Sequence, residues 1–280
     1  MIIVLLILCC TFVEGLANPI DVYFKNASIH SMHQRTLLAS GLFLGQPYKF
    51  DPLNDNESSH KLKIDQFDCL TYVQTVMALI HARNPSMLHK TALQARYLKS
   101  PYHYANRIHF ASIDLNPTYE KLHWIKPLNT HKAPFTTTTT TISFKQFWTH
   151  KIAKLKKSKL INNKEIKQWK SSLKNRKNIQ KSTQAYLPIH KIIINGKLNT
   201  SLFKSLEPIM LIEFVHQDWR PKNLGTALQV SHLGFLIRKK NRWFLRHASS
   251  NKFILDIDLE TYLTHKKSKT FKGIALWNIR

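Results

Sequence analysis

An acidic residue, a cysteine and an apolar run follow one another in Phe67-Asp68-Cys69-Leu70-Thr71-Tyr72-Val73-Gln74. Aspartate caps the amino ends of helices, and the apolar residues after it recur at helical spacing. The segment therefore predicts a helix over residues 69–83 that ends by Asn84-Pro85. A helix amino end and a nearby imidazolium both favour a thiolate, so Cys69 is a candidate nucleophile whose pKa we expect to be lowered.

Cys69 is the only cysteine that we expect in the mature chain. Cys9 and Cys10 lie in a hydrophobic start that predicts a secretory signal peptide over residues 1–17. The mature chain is then secreted to the periplasm or beyond, without a membrane segment. An unpaired thiol in an oxidising compartment favours a chemical role, and a small buried hydrophobe is the alternative that the cysteine alone leaves open.

The order of the predicted elements indicates the fold class. Helical spacing recurs over residues 30–43 and 69–83, whereas the second half of the chain predicts strands over 208–215, 232–238, 242–248 and 274–279. Helices first and antiparallel strands later predict an α+β fold in which the cysteine-bearing helix packs on an antiparallel sheet. The length of residues 18–280 fits a single domain.

Two of the predicted strands form a hairpin that carries two histidines near one end. A two-residue turn at Lys239-Lys240 places His232 opposite His247, whereas a three-residue turn places His232 opposite Ala248. The pairing lets one imidazole orient the other as a base for Cys69. With 15 histidines in the chain, a structural role for each of the two is the alternative.

The positive charge of the chain is concentrated in one stretch. Removal of residues 1–17 takes away Glu14 and no base, which raises the formal net charge from +26 to +27. Residues 144–181 carry thirteen Lys or Arg against Glu165 alone. Apolar residues in this stretch recur every three or four positions, which favours amphipathic helices, and we predict a basic helical insertion over 120–185.

The basic stretch has two interpretations. We favour a solvated helix face that docks onto anionic envelope polymers, and a flexible arm that binds nucleic acid is the alternative. No zinc-finger, phosphate-loop or RNA-binding motif is present, so no specific nucleic acid partner is predicted. The mature chain has no second thiol and no His-Glu-x-x-His spacing, so we also predict no metal and no cofactor.

Several short motifs in order resemble those of the NlpC-type, papain-like cell-wall cysteine peptidases. The chain is most similar to the N-acetylmuramoyl-L-alanine amidase-like branch of that superfamily, over about residues 37–280. The resemblance implies a papain-like core and a peptidoglycan substrate. The motifs are Gly45-Gln46-Pro47-Tyr48, Phe67 to Gln74, Arg107-Ile108-His109-Phe110, Tyr186-Leu187-Pro188, Ser231-His232-Leu233-Gly234 and His247-Ala248-Ser249-Ser250.

The resemblance implies a role for each matching residue. Cys69 corresponds to the nucleophile, His232 to the general base and then acid, and His247 to the group that orients His232. Tyr48 corresponds to a tyrosine near the oxyanion, and Asp68 to an acid that holds a substrate amine. The remaining implied substrate contacts are Arg107, His109 and Ser231.

The implied activity is that of a secreted cysteine amidase that cleaves the N-acetylmuramoyl-L-alanine bond. An endopeptidase that cleaves between γ-D-glutamate and a diamino acid is an alternative on the same fold. Two alternatives belong to other classes. One is a non-catalytic basic protein that binds the cell envelope, and the other is a Cys-His acyltransferase.

Overall fold

The computed structural model of the protein describes residues 18–27, 30–53, 64–128, 134–174, 176–222, 224–250, 252–266 and 268–280. The predicted signal peptide over 1–17, with Cys9 and Cys10, lies outside the described residues. Within the described ranges, no helix combines the length and the apolar character that a membrane crossing requires.

Helices dominate the first half of the chain, as the sequence predicts. The predicted helices over 30–43 and 69–83 are present as α2 and α3. The α-helices are α1 (Pro19–Ala27), α2 (Met32–Gly41), α3 (Cys69–His81), α4 (Leu88–Arg96), α5 (Asn116–Lys121), α6 (Phe144–Lys157), α7 (Asn163–Leu173), α8 (Ile189–Ile192) and α9 (Leu259–Thr264).

The strands pair antiparallel throughout, which confirms the α+β class with an antiparallel sheet. They are β1 (Ile125–Pro127), β2 (Thr136–Ser143), β3 (Ile179–Pro188), β4 (Ile193–Ile194), β5 (Lys197–Leu198), β6 (Ile209–Trp219), β7 (Leu228–Lys239), β8 (Arg242–Ala248), β9 (Ile254–Asp258) and β10 (Phe271–Ile279). The large sheet has the order β2-β3-β10-β6-β7-β8-β9, and β1 pairs with the end of β10. Strands β4 and β5 form a separate hairpin.

Both faces of the sheet are buried, and the central strand β6 shows why. Successive side chains of a strand point to opposite faces. Ile209 and Leu211 join the apolar cluster that contains α3, whereas Met210 and Ile212 join a second cluster beneath α8 and α9. Strand β6 is apolar at consecutive positions because both faces of the sheet are covered by packed side chains there.

The predicted insertion over 120–185 is not helical throughout, because it also contributes β1, β2 and β3 to the large sheet. The six threonines Thr136–Thr141 lie in β2 and pair with β3, which suits β-branched side chains. The two amphipathic helices are present as α6 and α7. The apolar residues that predicted them all belong to one cluster: Phe144, Phe147, Trp148, Ile152, Leu155, Leu160, Ile161, Ile166, Trp169 and Leu173.

The hairpin of β7 and β8 has a register that the sequence did not predict. Lys239 pairs with Arg242, so the two-residue turn is Lys240-Asn241 and both expected registers are wrong. Lys240 has a φ of 53°, the left-handed conformation that primed hairpin turns need at their first central residue. His232 and His247 therefore lie at diagonal positions on one face of the hairpin.

Candidate active site

The amino end of α3 is fixed by Asp68. Its Oδ1 accepts hydrogen bonds from the Thr71 N–H and from the Thr71 hydroxyl, both at 2.7 Å. Its Oδ2 accepts from the Asp51 N–H at 3.2 Å. Asp68 is thus the N-cap residue, and it satisfies one of the backbone donors that α3 leaves unpaired, the Thr71 N–H. Cys69 is the first residue of the helix that follows.

The Cys69 thiol is free and half-buried. Hydrogen bonds from the backbone of Leu233 and Leu70 favour its thiolate form. Burial and the neighbouring Asp68 carboxylate act in the opposite direction and prevail, raising the pKa of Cys69 to about 12. The expectation of a lowered pKa is therefore wrong, because the sulfur lies in a desolvated position beside an acid. Cys69 therefore rests as a neutral thiol.

His232 and His247 form a direct pair. His232 Nε2 lies 2.6 Å from His247 Nδ1, and the two rings are nearly perpendicular, at 86°. Burial, the nearby His247 and the charge of Lys266 hold the pKa of His232 well below its usual value. Burial and Lys266 lower the pKa of His247 to about 4. Both imidazoles are neutral at pH 7, and Nδ1 is the ring nitrogen of His232 that takes no part in this pair.

A glycine makes room for this pair. The register of the hairpin places Gly234 opposite His247, and a Cβ at Gly234 would lie 2.5 Å from the carbonyl oxygen of Arg246 and 3.0 Å from the Cβ of His247. Any larger residue there would displace the strand that carries His247. A glycine inside a strand indicates such a close approach of two backbones.

Three further side chains lie close to the two histidines. The ring of Phe214 lies 5.7 Å from that of His232, and the ring of Tyr262 lies 5.3 Å from that of His247. The Nζ atom of Lys266 lies 4.7 Å from the Tyr262 centroid and 5.5 Å from the Phe214 centroid. A half-buried positive charge thus faces the histidine pair across two aromatic rings.

The predicted site residues converge on one cleft of about 430 Å³. All of them except His247 line it, and His247 contacts His232 from behind. Their roles stay predictions, since proximity does not establish them. The cleft-lining members are Tyr48, Asp68, Cys69, Arg107, His109, Ser231 and His232.

The predicted substrate-binding residues differ in the hydrogen bonds that their side chains already make within the protein. Tyr48 is half-buried and hydrogen-bonded to Ser250, and burial together with Cys69 and Asp68 raises its pKa. His109 Nε2 lies 2.9 Å from the Tyr104 carbonyl oxygen. The buried Ser231 hydroxyl has no hydrogen-bond partner within the described chain. The Ser231 hydroxyl therefore keeps both its donor and its acceptor capacity within the described residues.

One wall of the cleft is an ion-pair cluster around Asp51. Its Oδ2 accepts a hydrogen bond from the Tyr104 hydroxyl at 2.7 Å and a second from the Lys151 ammonium. Arg107 Nη1 lies 3.7 Å from Oδ1 and donates to the Leu53 carbonyl oxygen at 2.8 Å. Burial raises the pKa of Asp51, but these cations and hydrogen bonds outweigh it and lower the pKa to about 2.

A family model described as AmiA-like, N-acetylmuramoyl-L-alanine amidase-like, matches residues 38–274 of the chain. The chain belongs to this family. The match spans every residue discussed above in the cleft. No curated protein matches the chain.

Solved structures resemble the amidase-like chain over most of its length. A protein from Legionella pneumophila is 27% identical, with 93% of each chain covered and a TM-score of 0.79. An N-acetylmuramoyl-L-alanine amidase from Bacteroides uniformis is 18% identical, with 89% of this chain and 99% of that chain covered and a TM-score of 0.63. At 18% identity, the similarity to the Bacteroides uniformis structure shows a shared fold.

Parts of the amidase-like cleft lay beyond the sequence motifs. Asp51 and Lys151 are 100 residues apart, and no local pattern links them. Lys151 and Lys154 lie in the basic 144–181 stretch, yet both line the cleft. Lys151 is buried, so the solvated-face interpretation is wrong for it, whereas Lys154 is exposed and agrees with that interpretation. Among the described residues, no three His, Cys, Asp or Glu side chains converge as a metal site.

Proposed function

We propose that this protein is a secreted cysteine amidase, with a papain-like core of the NlpC type, that cleaves the amide bond between the lactyl group of N-acetylmuramic acid and L-alanine. Membership of the amidase-like family supports a hydrolase that acts on peptidoglycan. One observation supports the thiol mechanism above all. Cys69, at the amino end of α3, lines the same cleft as His232, and His232 is hydrogen-bonded to His247.

The first step is a proton transfer coupled to attack. The thiol and the imidazole both rest in their neutral forms, so His232 acts as a general base that takes the sulfur-bound proton on Nδ1. The sulfur forms a bond to the lactyl carbonyl carbon, and the carbonyl oxygen becomes an oxyanion. The Cys69 N–H and the Tyr48 hydroxyl are the donors that we assign to this oxyanion.

The second step releases the peptide. The His232 imidazolium donates its proton to the alanine nitrogen, the carbon–nitrogen bond breaks, and a thioester remains on Cys69. His232 then takes a proton from water as the water oxygen attacks the thioester carbon, and it returns a proton to the sulfur when the carbon–sulfur bond breaks, which frees the lactyl carboxylic acid and the Cys69 thiol. Throughout, the Nε2–H of His232 donates to His247 Nδ1, which orients the ring and stabilises its positive charge.

The basic stretch has a separate proposed role in docking. Most lysines of α6 and α7 project into solvent, including Lys156, Lys157, Lys164 and Lys167. Such a surface attracts anionic envelope polymers in a salt-dependent way. We assign binding of intact cell wall to these exposed lysines and assign Lys151 and Lys154 to the cleft.

The test is the mass of the products formed from defined muropeptides by residues 18–280. An amidase yields a glycan with a free lactyl carboxylate and a peptide that begins with free L-alanine. An endopeptidase leaves L-alanine and D-glutamate on the glycan, and an acyltransferase yields a product whose acyl group is joined to an amine or alcohol. Cys69→Ala is the matched control. It removes little volume, so a folded and inactive variant is expected.

The proposal fails in two distinguishable ways. If the products retain the lactyl–alanine bond, the choice of bond is wrong while the thiol mechanism stands. If Cys69→Ala turns over substrate at the wild-type rate, the nucleophile is wrong. A wild-type protein that binds cell wall but forms no product would favour the non-catalytic envelope-binding alternative.

A further inference from the structure

The cleft lining carries more positively charged side chains than carboxyl groups. Among the residues that the structure describes, the lining contains the cations Arg107, Lys151 and Lys154 but only the carboxyl groups of Asp51 and Asp68. Burial raises the pKa of Asp68, and the charge of Asp51 adds to that shift. Even with both carboxyl groups ionised, one positive charge remains without a counter-charge among these described lining residues. An unbalanced charge in a partly desolvated cleft favours a ligand of opposite sign.

The unbalanced charge is best assigned to Lys154. Asp51 already holds Lys151 and Arg107, whose side chains are only 10% and 4% exposed. Lys154 lies one turn further along α6, on the same side of the helix as Lys151. Within the described chain, no carboxylate oxygen lies within 4.0 Å of its Nζ.

The setting of Lys154 suits a ligand contact. Its Nζ lies 5.2 Å from the centroid of the Phe50 ring, which is 53% exposed and also lines the cleft. A cation over an exposed aromatic ring is held in place only weakly, so it can turn towards a ligand. The neighbouring cluster holds the two cations Lys151 and Arg107 around the single carboxylate of Asp51, so it does not oppose an anionic ligand at Lys154.

We infer that Lys154, backed by Lys151 and Arg107, binds a free carboxylate on the peptide part of the substrate. This inference rests on the proposed function. When D-glutamate is joined to the next residue through its γ-carboxyl group, its α-carboxylate stays free and charged. Amidation of that group removes the charge and changes little else, so the subsite distinguishes the two forms.

The test compares two muropeptides that differ only in this group, with D-glutamate or D-isoglutamine in the stem. We expect wild-type protein to have a KM about fivefold lower for the carboxylate form. In Lys154→Met this preference should fall close to one, and Lys154→Arg should restore much of it. Lys121→Met, which removes an exposed positive charge on α5 outside the cleft lining, should keep the wild-type preference.

Further measurements identify which carboxylate is bound. They also distinguish a failure of the carboxylate subsite from a failure of the proposed amidase activity. A substrate amidated only at its terminal carboxyl group shows which carboxylate Lys154 binds. If wild-type protein cleaves both forms with the same KM, or if Lys154→Met keeps the preference, the subsite is wrong while the amidase activity stands. If no muropeptide is cleaved, calorimetry with the two free stem peptides decides, and equal affinities in wild type and Lys154→Met overturn the subsite.

Discussion

The two walls of the cleft use opposite chemistry. On the wall formed by α3 and β7, the Cys69 and His232 side chains are neutral, as is His247 of β8 next to them, because burial raises the pKa of Cys69 and lowers the pKa of both histidines. The wall that includes α6 is ionic, and Asp51 is ionised between buried cations. A neutral wall suits proton transfer, since its groups change charge only during the reaction, whereas a fixed ionic wall suits binding.

The neutral wall should control turnover most strongly. His232→Ala should lower kcat/KM by about a thousandfold, within the range that general acid–base catalysis supplies. His247→Ala should cost less, because His247 orients the base and transfers no proton to substrate. Both variants should keep the wild-type unfolding temperature within a few degrees. Steady-state kinetics with one soluble muropeptide checks this order, and an active His232→Ala would overturn the mechanism.

The ionic wall should control stability. Asp51→Asn leaves Lys151 and Arg107 buried without a counter-charge, and we expect a loss of about 3 kcal/mol in the free energy of unfolding. Lys197→Met is the matched control, because the Lys197 side chain is 81% exposed in its pair with Glu260. This exposed pair should contribute less than about 1 kcal/mol. Urea denaturation measures both, and equal losses would remove the contrast between buried and exposed pairs.

The same carboxylate makes the ionic wall sensitive to acid. The folded pKa of Asp51, about 2, is below its ordinary value of 3.8. Its stabilising contribution is therefore complete above about pH 4 and is lost as the pH falls towards 2. The difference in stability between wild type and Asp51→Asn should shrink over that interval. A difference that stays constant down to pH 2 would contradict the assignment.

Lys266 offers the smallest and most specific test of the neutral wall. Its charge disfavours the imidazolium forms of His232 and His247, and Asp256 opposes this effect at His247 alone. Tyr262 from α9 also packs against both histidines, and Cys69 from α3 lines the same cleft as His232. Lys266→Met should raise both histidine pKa values, so the acidic limb of the kcat/KM profile should move to higher pH. Lys269→Met, at an exposed position, should leave the profile in place.

Local sequence signals predicted the neutral wall well. The Asp-Cys start of α3 and the limits of β8 depend on neighbouring residues, and both agree with the structure. The register of the hairpin did not follow, because it depends on which two residues adopt the turn, and Lys240 takes a left-handed φ that its residue type does not announce. Gly234 belongs to the motif Ser231-His232-Leu233-Gly234, but its close contact with β8 depends on the register of the hairpin.

The ionic wall could not be predicted in the same way. Asp51 and Lys151 meet only because β2, α6 and α7 pack beside the loop over residues 104–110. The threonine run Thr136–Thr141 has strong strand propensity, but the helical spacing of the residues after it predicts helices alone. Sequence spacing finds the faces of single elements, whereas contacts between distant segments depend on the packing of the whole sheet.

The central claim is that Cys69 carries the acyl group during turnover. The most direct measurement is to quench wild-type protein with acid during turnover of a muropeptide and to map the modified peptide by mass spectrometry. The account predicts an N-acetylmuramoyl adduct, joined through its lactyl carbonyl, on Cys69. It also predicts no adduct in Cys69→Ala. Turnover without any adduct in wild type, together with an active Cys69→Ala, would contradict the account.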